Sequence, residues 1–131
     1  HKVAFNVLNF GRFKLGAMVL GGARQTVGDA AKYAATRRQF GVAIAGFGAI
    51  RHKLGEMTAR TYALESLMYR TAGLIDQRIA ATGAGAAATL QALEEFAVEA
   101  SIAKVYGSET VDFVIDEALQ IFGGNGFVAD Y

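Results

Sequence analysis

Cysteine, proline and tryptophan are absent from this 131-residue chain, and histidine occurs only at His1 and His52. Without thiols there is no disulfide, no thiolate nucleophile and no cysteine-bound metal, and two histidines cannot build a histidine-rich metal site. No Glu-x-x-His pair occurs, which disfavours a di-iron bundle. An excess of one charge sign is also missing: 13 Lys and Arg stand against 12 Asp and Glu, a formal charge of +1. That balance lacks the positive field of a nucleic-acid binder, so neither DNA nor RNA is an expected partner. Lys14, Arg24, Lys32 and Arg37 interrupt the first apolar stretch, so nothing approaches the roughly 20 apolar residues of a membrane-spanning helix.

Apolar residues make up 53% of the chain, ample for the core of one domain over residues 1–131. The chain opens at His1-Lys2-Val3 without a methionine and closes at Asp130-Tyr131 just past a glycine cluster. It therefore reads as a piece of a larger protein, with any targeting signal outside it. Charges recur every few residues among Ala, Leu and Met with no proline, which predicts helix over most of the length and no sheet. A first helix is expected over about Arg12 to Ala35. Its glycines Gly16, Gly21, Gly22 and Gly28 each cost about 1 kcal/mol against alanine, so close approach of neighbours on more than one side is expected to compensate.

The second helix, about Gly46 to Ile79, shows the cleanest seam: Ile50, Leu54, Met57, Thr61, Leu64, Met68, Thr71 and Ile75. An Ala/Gly connector from Ala80 to Ala88 should turn at Gly83 and Gly85, its alanines extending the flanking helices. A third helix, about Leu90 to Phe122, presents Phe96, Ala100, Ala103, Gly107, Val111, Val114, Ala118 and Ile121 on one face. Val98, Ile102, Val105 and Phe113 add apolar surface elsewhere. The fold class is all-α, an up-down bundle whose last helix is expected to have been removed or to come from a partner.

Chemistry concentrates where helices end. Arg37 and Arg38 follow a helical run, where cations offset the negative end of the dipole. Phe40 before Gly41 adds a ring, and an arginine with a ring suits a planar, phosphate-bearing ligand. Gly123-Gly124-Asn125-Gly126 is at its plainest a helix stop made of residues that tolerate the left-handed conformation. It holds more glycine than one cap needs, so a ligand can lie on bare backbone, with Gln120 offering a directed hydrogen bond. Asn9-Phe10-Gly11-Arg12 opens the first helix, where Arg12 opposes the dipole and calls for an anion, or else sits as a surface arginine. Glu56, Glu65, Glu94, Glu95, Glu99, Glu109 and Glu117 all fall inside helices, and none stands out as a general base; His52 reads as an exposed helix residue.

Four motifs taken in order, Asn9-Phe10-Gly11-Arg12-Phe13, Arg37-Arg38-Gln39-Phe40-Gly41, Phe47-Gly48-Ala49-Ile50 and Gln120-Ile121-Phe122-Gly123-Gly124-Asn125-Gly126, resemble the C-terminal helical domain of the acyl-CoA dehydrogenases, nearest their very-long-chain branch. The resemblance covers nearly the whole chain; the Ala/Gly tract from Ala80 to Leu90 is longer than the family pattern. It implies a flavoenzyme with an N-terminal helical domain, a middle β domain and this bundle, assembled as a homodimer or homotetramer with FAD lying across subunits. Arg37, Gln39 and Phe40 would then contact the pyrophosphate and adenosine part of a neighbour's FAD, aided by Phe47, Gly48, Gln120, Gly123 and Gly124. Asn9, Phe10, Gly11 and Arg12 would line the acyl-CoA site.

In that family a glutamate takes the α-proton of the thioester while a hydride leaves the β-carbon for the flavin, giving a trans-2-enoyl-CoA. Electrons then pass to electron-transfer flavoprotein. The glutamate's first family location matches Gly11, which has no side chain, and its second lies past Tyr131. No catalytic residue is therefore named, and the chain alone is expected to be inactive. An acyl-CoA oxidase or flavin monooxygenase of the same fold is the alternative within the resemblance. A non-catalytic bundle serving association is the alternative outside it. The compartment follows the source, cytoplasmic if bacterial and on the mitochondrial matrix side if eukaryotic, and the acyl chain length is not readable.

Overall fold

The computed structural model describes residues 2–83 and 85–129, apart from the side chains of residues 2–4. Helix α1 spans Lys2–Thr36, a short antiparallel hairpin follows with β1 at Arg38–Gln39 and β2 at Val42–Ala43, and a 3-10 turn covers Ile44–Gly46. Helix α2 spans Gly48–Thr82, α3 Ala86–Glu95 and α4 Ala97–Phe122, ending in a 3-10 turn at Gly123–Phe127.

The bundle is up-down, as expected. Arg24 meets Glu65 and Gly16 meets Met68, so α1 and α2 run antiparallel. Asn9 meets Leu93 and Tyr33 meets Phe122, so α1 runs parallel to α3 and α4. The α2 seam is buried at all six positions from Met57 to Ile75. On α4 the buried face is Ala100, Ala103, Gly107, Thr110, Val114, Ala118 and Ile121, with Thr110 in place of the expected Val111. Val98, Ile102 and Val105 are exposed, on the side away from that face.

The structure corrects four expectations. Helix α1 starts at Lys2 and not at Arg12, because Asn9-Phe10-Gly11 does not stop it: Asn9 is buried and donates from Nδ2 to the Leu93 carbonyl at 3.4 Å, tying this stretch to α3. The third helix is two. Phe96, at φ −97° and ψ 28°, leaves the helical region while the hydrogen bonds on either side of it, Phe96 N to Ala92 O and Ala100 N to Phe96 O, persist. The expected absence of sheet fails at the hairpin, where Arg38 pairs with Ala43 and Gln39 with Val42. Its two-residue turn has φ 52° at Phe40 and 83° at Gly41, and positive φ at both central residues is what a type I′ turn demands.

The fourth correction concerns the glycines of α1. Gly16 behaves as expected: a Cβ there would lie 2.7 Å from Met68 Sδ and 3.2 Å from the Ala103 carbonyl oxygen. Gly107 faces it from α4, where a Cβ would come 2.9 Å from Val19 Cγ2 and 3.3 Å from the Gly16 Cα. At Gly21, Gly22 and Gly28 a Cβ would meet nothing within 4 Å, and Gly21 and Gly22 are exposed, so no close neighbour compensates them among the described residues. Gly83 and Gly85, where the turn is expected, take positive φ of 98° and 133°, and alanines extend both adjoining helices.

Three apolar clusters succeed one another along the bundle. The first, at the hairpin end, gathers Ala23, Ala30, Ala34, Ile44, Met57, Val114, Ala118 and Ile121. Leu64, Met68 and Ala103 form the second, and Ile75, Ala92 and Leu93 the third. Ion pairs tie α2 to its neighbours: Arg24 with Glu65 at 2.7 Å, Lys53 with Glu117, and Arg78 Nε with Glu95 at 2.6 Å, the last a charge contact off the N–H direction. Solvent-accessible pairs of this kind contribute up to about 1 kcal/mol each. No helix among the described residues is long and apolar enough to cross a membrane, and none of them forms a group of three or more potential metal ligands.

Candidate functional site

Antiparallel packing brings three helix ends together: the C-terminus of α1, the N-terminus of α2 and the C-terminus of α4. Thr36 closes α1 by donating its hydroxyl to the Lys32 and Tyr33 carbonyls at 3.1 and 3.2 Å. The Arg37 backbone is then held on both sides, its N–H by the Tyr33 carbonyl and its carbonyl by the Ile44 N–H, each at 2.8 Å. Its side chain is exposed, and no hydrogen bond or ion pair engages the guanidinium among the described residues.

Arg38 does the opposite. Its Nη2 donates to the Gly41 carbonyl at 2.6 Å, bracing the hairpin turn. In that turn Phe40 takes a left-handed φ, which costs an L-residue roughly 1–2 kcal/mol. The ring stands 92% exposed and edge-on to Phe47, 6.2 Å between centroids. Phe47 is the N-cap of α2 and makes no side-chain capping bond, and the first turn of α2 holds no acid. The positive end of that helix dipole is therefore left without a side-chain acceptor.

From the other side, α4 ends at Gly123, φ 59°, whose N–H reaches the Leu119 carbonyl. Gly123 alone makes the left-handed turn in this loop; Asn125, expected to tolerate that conformation, keeps a negative φ and works through its side chain instead. Asn125 Nδ2 donates to the Tyr33 hydroxyl at 2.8 Å, and Tyr33 Oη donates to the Phe122 carbonyl at 3.3 Å. The Tyr33 and Phe122 rings stack with centroids 4.3 Å apart.

Between these ends lies a cleft of about 440 Å³. Of the eight expected cofactor residues, Arg37, Gln39, Phe40, Phe47, Gly123 and Gly124 line it; Gly48 and Gln120 do not, although both are exposed. Arg37 is the sole charged residue of the lining, so the cleft favours an anion. A Cβ at Gly123 or Gly124 would meet no atom within 4 Å, which leaves that backbone bare to the cleft. Sequence reasoning missed Tyr33 in the lining. Its position four residues before Arg37, on the same helix face, was the available signal.

The expected substrate quartet lies elsewhere. Asn9 and Arg37 are 28 residues apart (37 − 9), roughly 40 Å along α1 at 1.5 Å per residue. Asn9 is buried and accepts from Arg12 Nη1 at 3.0 Å, Phe10 is 48% exposed with Lys14 Nζ 5.5 Å above its ring, and Gly11 faces open space. Arg12 is well inside α1 and not at its N-terminus, so the dipole does not oppose it; its partner is Asn9. His52 is exposed, as expected, and borders a second cleft of about 390 Å³ whose charges pair among themselves, Lys53 with Glu117 and Arg60 with Glu56, while Arg60 also lies 3.7 Å above the Phe113 ring.

Residues 1–131 match the family model described as acyl-CoA dehydrogenase, C-terminal domain. A probable acyl-CoA dehydrogenase of Bacillus subtilis is 42% identical over the whole chain, and the very long-chain specific mitochondrial acyl-CoA dehydrogenase of Homo sapiens is 38% identical over 98% of it. The chain spans 23% and 18% of those two proteins. The crystal structure of an acyl-CoA dehydrogenase complexed with FAD from Bacillus anthracis superposes with a TM-score of 0.93 at 45% identity, over 98% of this chain and 23% of that one.

Proposed function

Because this chain belongs to the acyl-CoA dehydrogenase family, whose C-terminal domain it forms, we propose that it is the FAD-contacting and subunit-pairing part of an enzyme that oxidises acyl-CoA thioesters to trans-2-enoyl-CoA. One observation carries the reading: Arg37, with no internal partner among the described residues, shares a cleft with the exposed Phe40 ring and the bare backbone of Gly123 and Gly124. These features fit a flavin dinucleotide. A diphosphate needs a fixed cation, which Arg37 supplies with a geometry suited to two parallel N–H bonds. A planar ring system needs an aromatic neighbour, and the hairpin holds Phe40 outward at the cost of its backbone strain. When bound, the flavin supplies the hydride acceptor.

The chain's own residues bind and orient. The α2 N-terminus adds positive potential beside Phe47, and Gln39 faces the cleft. Gln120 and Gly48 stand just outside the lining, where a dinucleotide reaching beyond the cleft would meet them. Phe40 lines the cleft and is 92% exposed, which supports a second subunit covering the cofactor in a homodimer or homotetramer. Acyl-CoA would engage Phe10 and Arg12, with Asn9 holding the Arg12 guanidinium and Gly11 leaving room. No acid lines the cofactor cleft and position 11 has no side chain, so the α-proton is proposed to go to a glutamate that residues 1–131 do not supply, and the chain by itself is proposed to be inactive. Electrons would leave to electron-transfer flavoprotein, in the cytoplasm of a bacterium or on the matrix side of a mitochondrion.

Replacing Arg37 with Ala in the whole protein tests this. A charge-assisted contact is worth about 1.5–3 kcal/mol, so FAD affinity should fall about 10- to 150-fold, read as flavin retained after dialysis. Unchanged flavin content would contradict the assignment.

A further inference from the structure

The two walls of the cofactor cleft come from parts of the chain far apart in sequence: Arg37 and the hairpin on one side, Gly123 and Gly124 on the other. Tyr33 joins both: its backbone carbonyl accepts the Arg37 N–H, and its side chain engages the end of α4 and the loop beyond it. It sits one helical turn before Arg37, and its ring stacks on Phe122, the last residue of α4. Its hydroxyl forms the middle of a chain in which Asn125 Nδ2 donates to Tyr33 Oη and Tyr33 Oη donates to the Phe122 carbonyl. That carbonyl belongs to the last turn of α4, where the helix passes into the 3-10 turn Gly123–Phe127. The hydroxyl therefore joins the last turn of α4 to the glycine loop in one linkage, while the Tyr33 backbone carbonyl receives the Arg37 N–H.

We propose that Tyr33 is a positioning residue for the cofactor: its hydroxyl fixes the separation between the Arg37 guanidinium and the Gly123-Gly124 backbone, so that one diphosphate can engage both. The inference rests on reading the cleft as a flavin dinucleotide site. The stacked ring already packs the two helix ends, so the hydroxyl is the part that sets the register of the loop. A tyrosine needed only for packing would be replaceable by phenylalanine without effect on the ligand.

The test compares wild type, Tyr33→Phe, Asn125→Ala, the double variant and Arg37→Ala in the whole protein, measuring FAD Kd for the apoprotein, visible circular dichroism of bound flavin, and the apoprotein melting temperature. Tyr33→Phe and Asn125→Ala should each weaken FAD about tenfold, the affinity equivalent of one net hydrogen bond, and alter the flavin dichroism. The double variant should be no weaker than the weaker single one, because both remove the same linkage. The apoprotein melting temperature of Tyr33→Phe should stay within a few degrees of wild type. If Tyr33→Phe binds FAD with wild-type affinity and dichroism while Arg37→Ala is impaired, the positioning role is overturned and the site reading stands. A lowered melting temperature with unchanged Kd in the folded protein also overturns it. Wild type that binds no flavin overturns both.

Discussion

Two glycine-bearing regions of this molecule use the same residue for opposite ends. At the mid-bundle crossing, Gly16 and Gly107 are buried, and a Cβ on either would strike a neighbour at 2.7–2.9 Å. At the hairpin end, Gly123 and Gly124 are exposed, and a Cβ on either would meet nothing. The first pair lets α1 and α4 approach; the second leaves backbone uncovered beside a lone arginine. Composition treats these glycines alike, and what separates them is whether a neighbour fills the space a side chain would take.

Substitution by alanine sharpens that contrast. Gly107→Ala should have the largest effect on stability: the methyl meets a β-branched side chain and the Gly16 backbone, so overpacking of about 1–3 kcal/mol outweighs the roughly 1 kcal/mol gained in helix propensity. Chemical denaturation should show a lower midpoint, and a midpoint at or above wild type would dissolve the distinction. Phe40→Asn comes next. Asparagine tolerates the left-handed turn, so stability should rise by up to about 1 kcal/mol while flavin affinity falls, which would show strain retained for the ring. A rise in both would mean that the ring has no role at the site.

The smallest effects belong to open positions. Gly21→Ala, mid-helix and exposed, should stabilise by about 0.5–1 kcal/mol in thermal melts; a loss would show that this face is covered in the intact assembly. Gly124→Ala has neither a positive φ nor a Cβ neighbour, so stability should stay within about 0.5 kcal/mol of wild type while FAD binding weakens. Equal FAD binding would remove Gly124 from the proposed site.

Much of the fold was legible because one-sided burial imprints itself on spacing: the four-and-three alternation from Met57 to Ile75 is the buried stripe of α2, position for position. Grouping Arg37, Phe40, Gly123 and Gly124 came from the family resemblance, and the fold accounts for it, since an up-down bundle puts the ends of alternate helices together. What escaped depends on partners distant in sequence. Asn9 looked like part of a helix-opening motif, yet its carboxamide is spent on Leu93, 84 residues away. Asn125 looked like a backbone device and acts through Tyr33, 92 residues away. The hairpin turn Phe40-Gly41 lacks the Asn-Gly signature of its type, and Phe96 breaks a helix with neither glycine nor proline to announce it.

A crystal structure of the whole protein with FAD bound tests the central claim most directly. The account predicts the Arg37 guanidinium about 2.8 Å from diphosphate oxygens, in the cleft that Phe40 and Gly123-Gly124 also line. An Arg37 side chain directed into solvent, with the dinucleotide seated elsewhere, would contradict it.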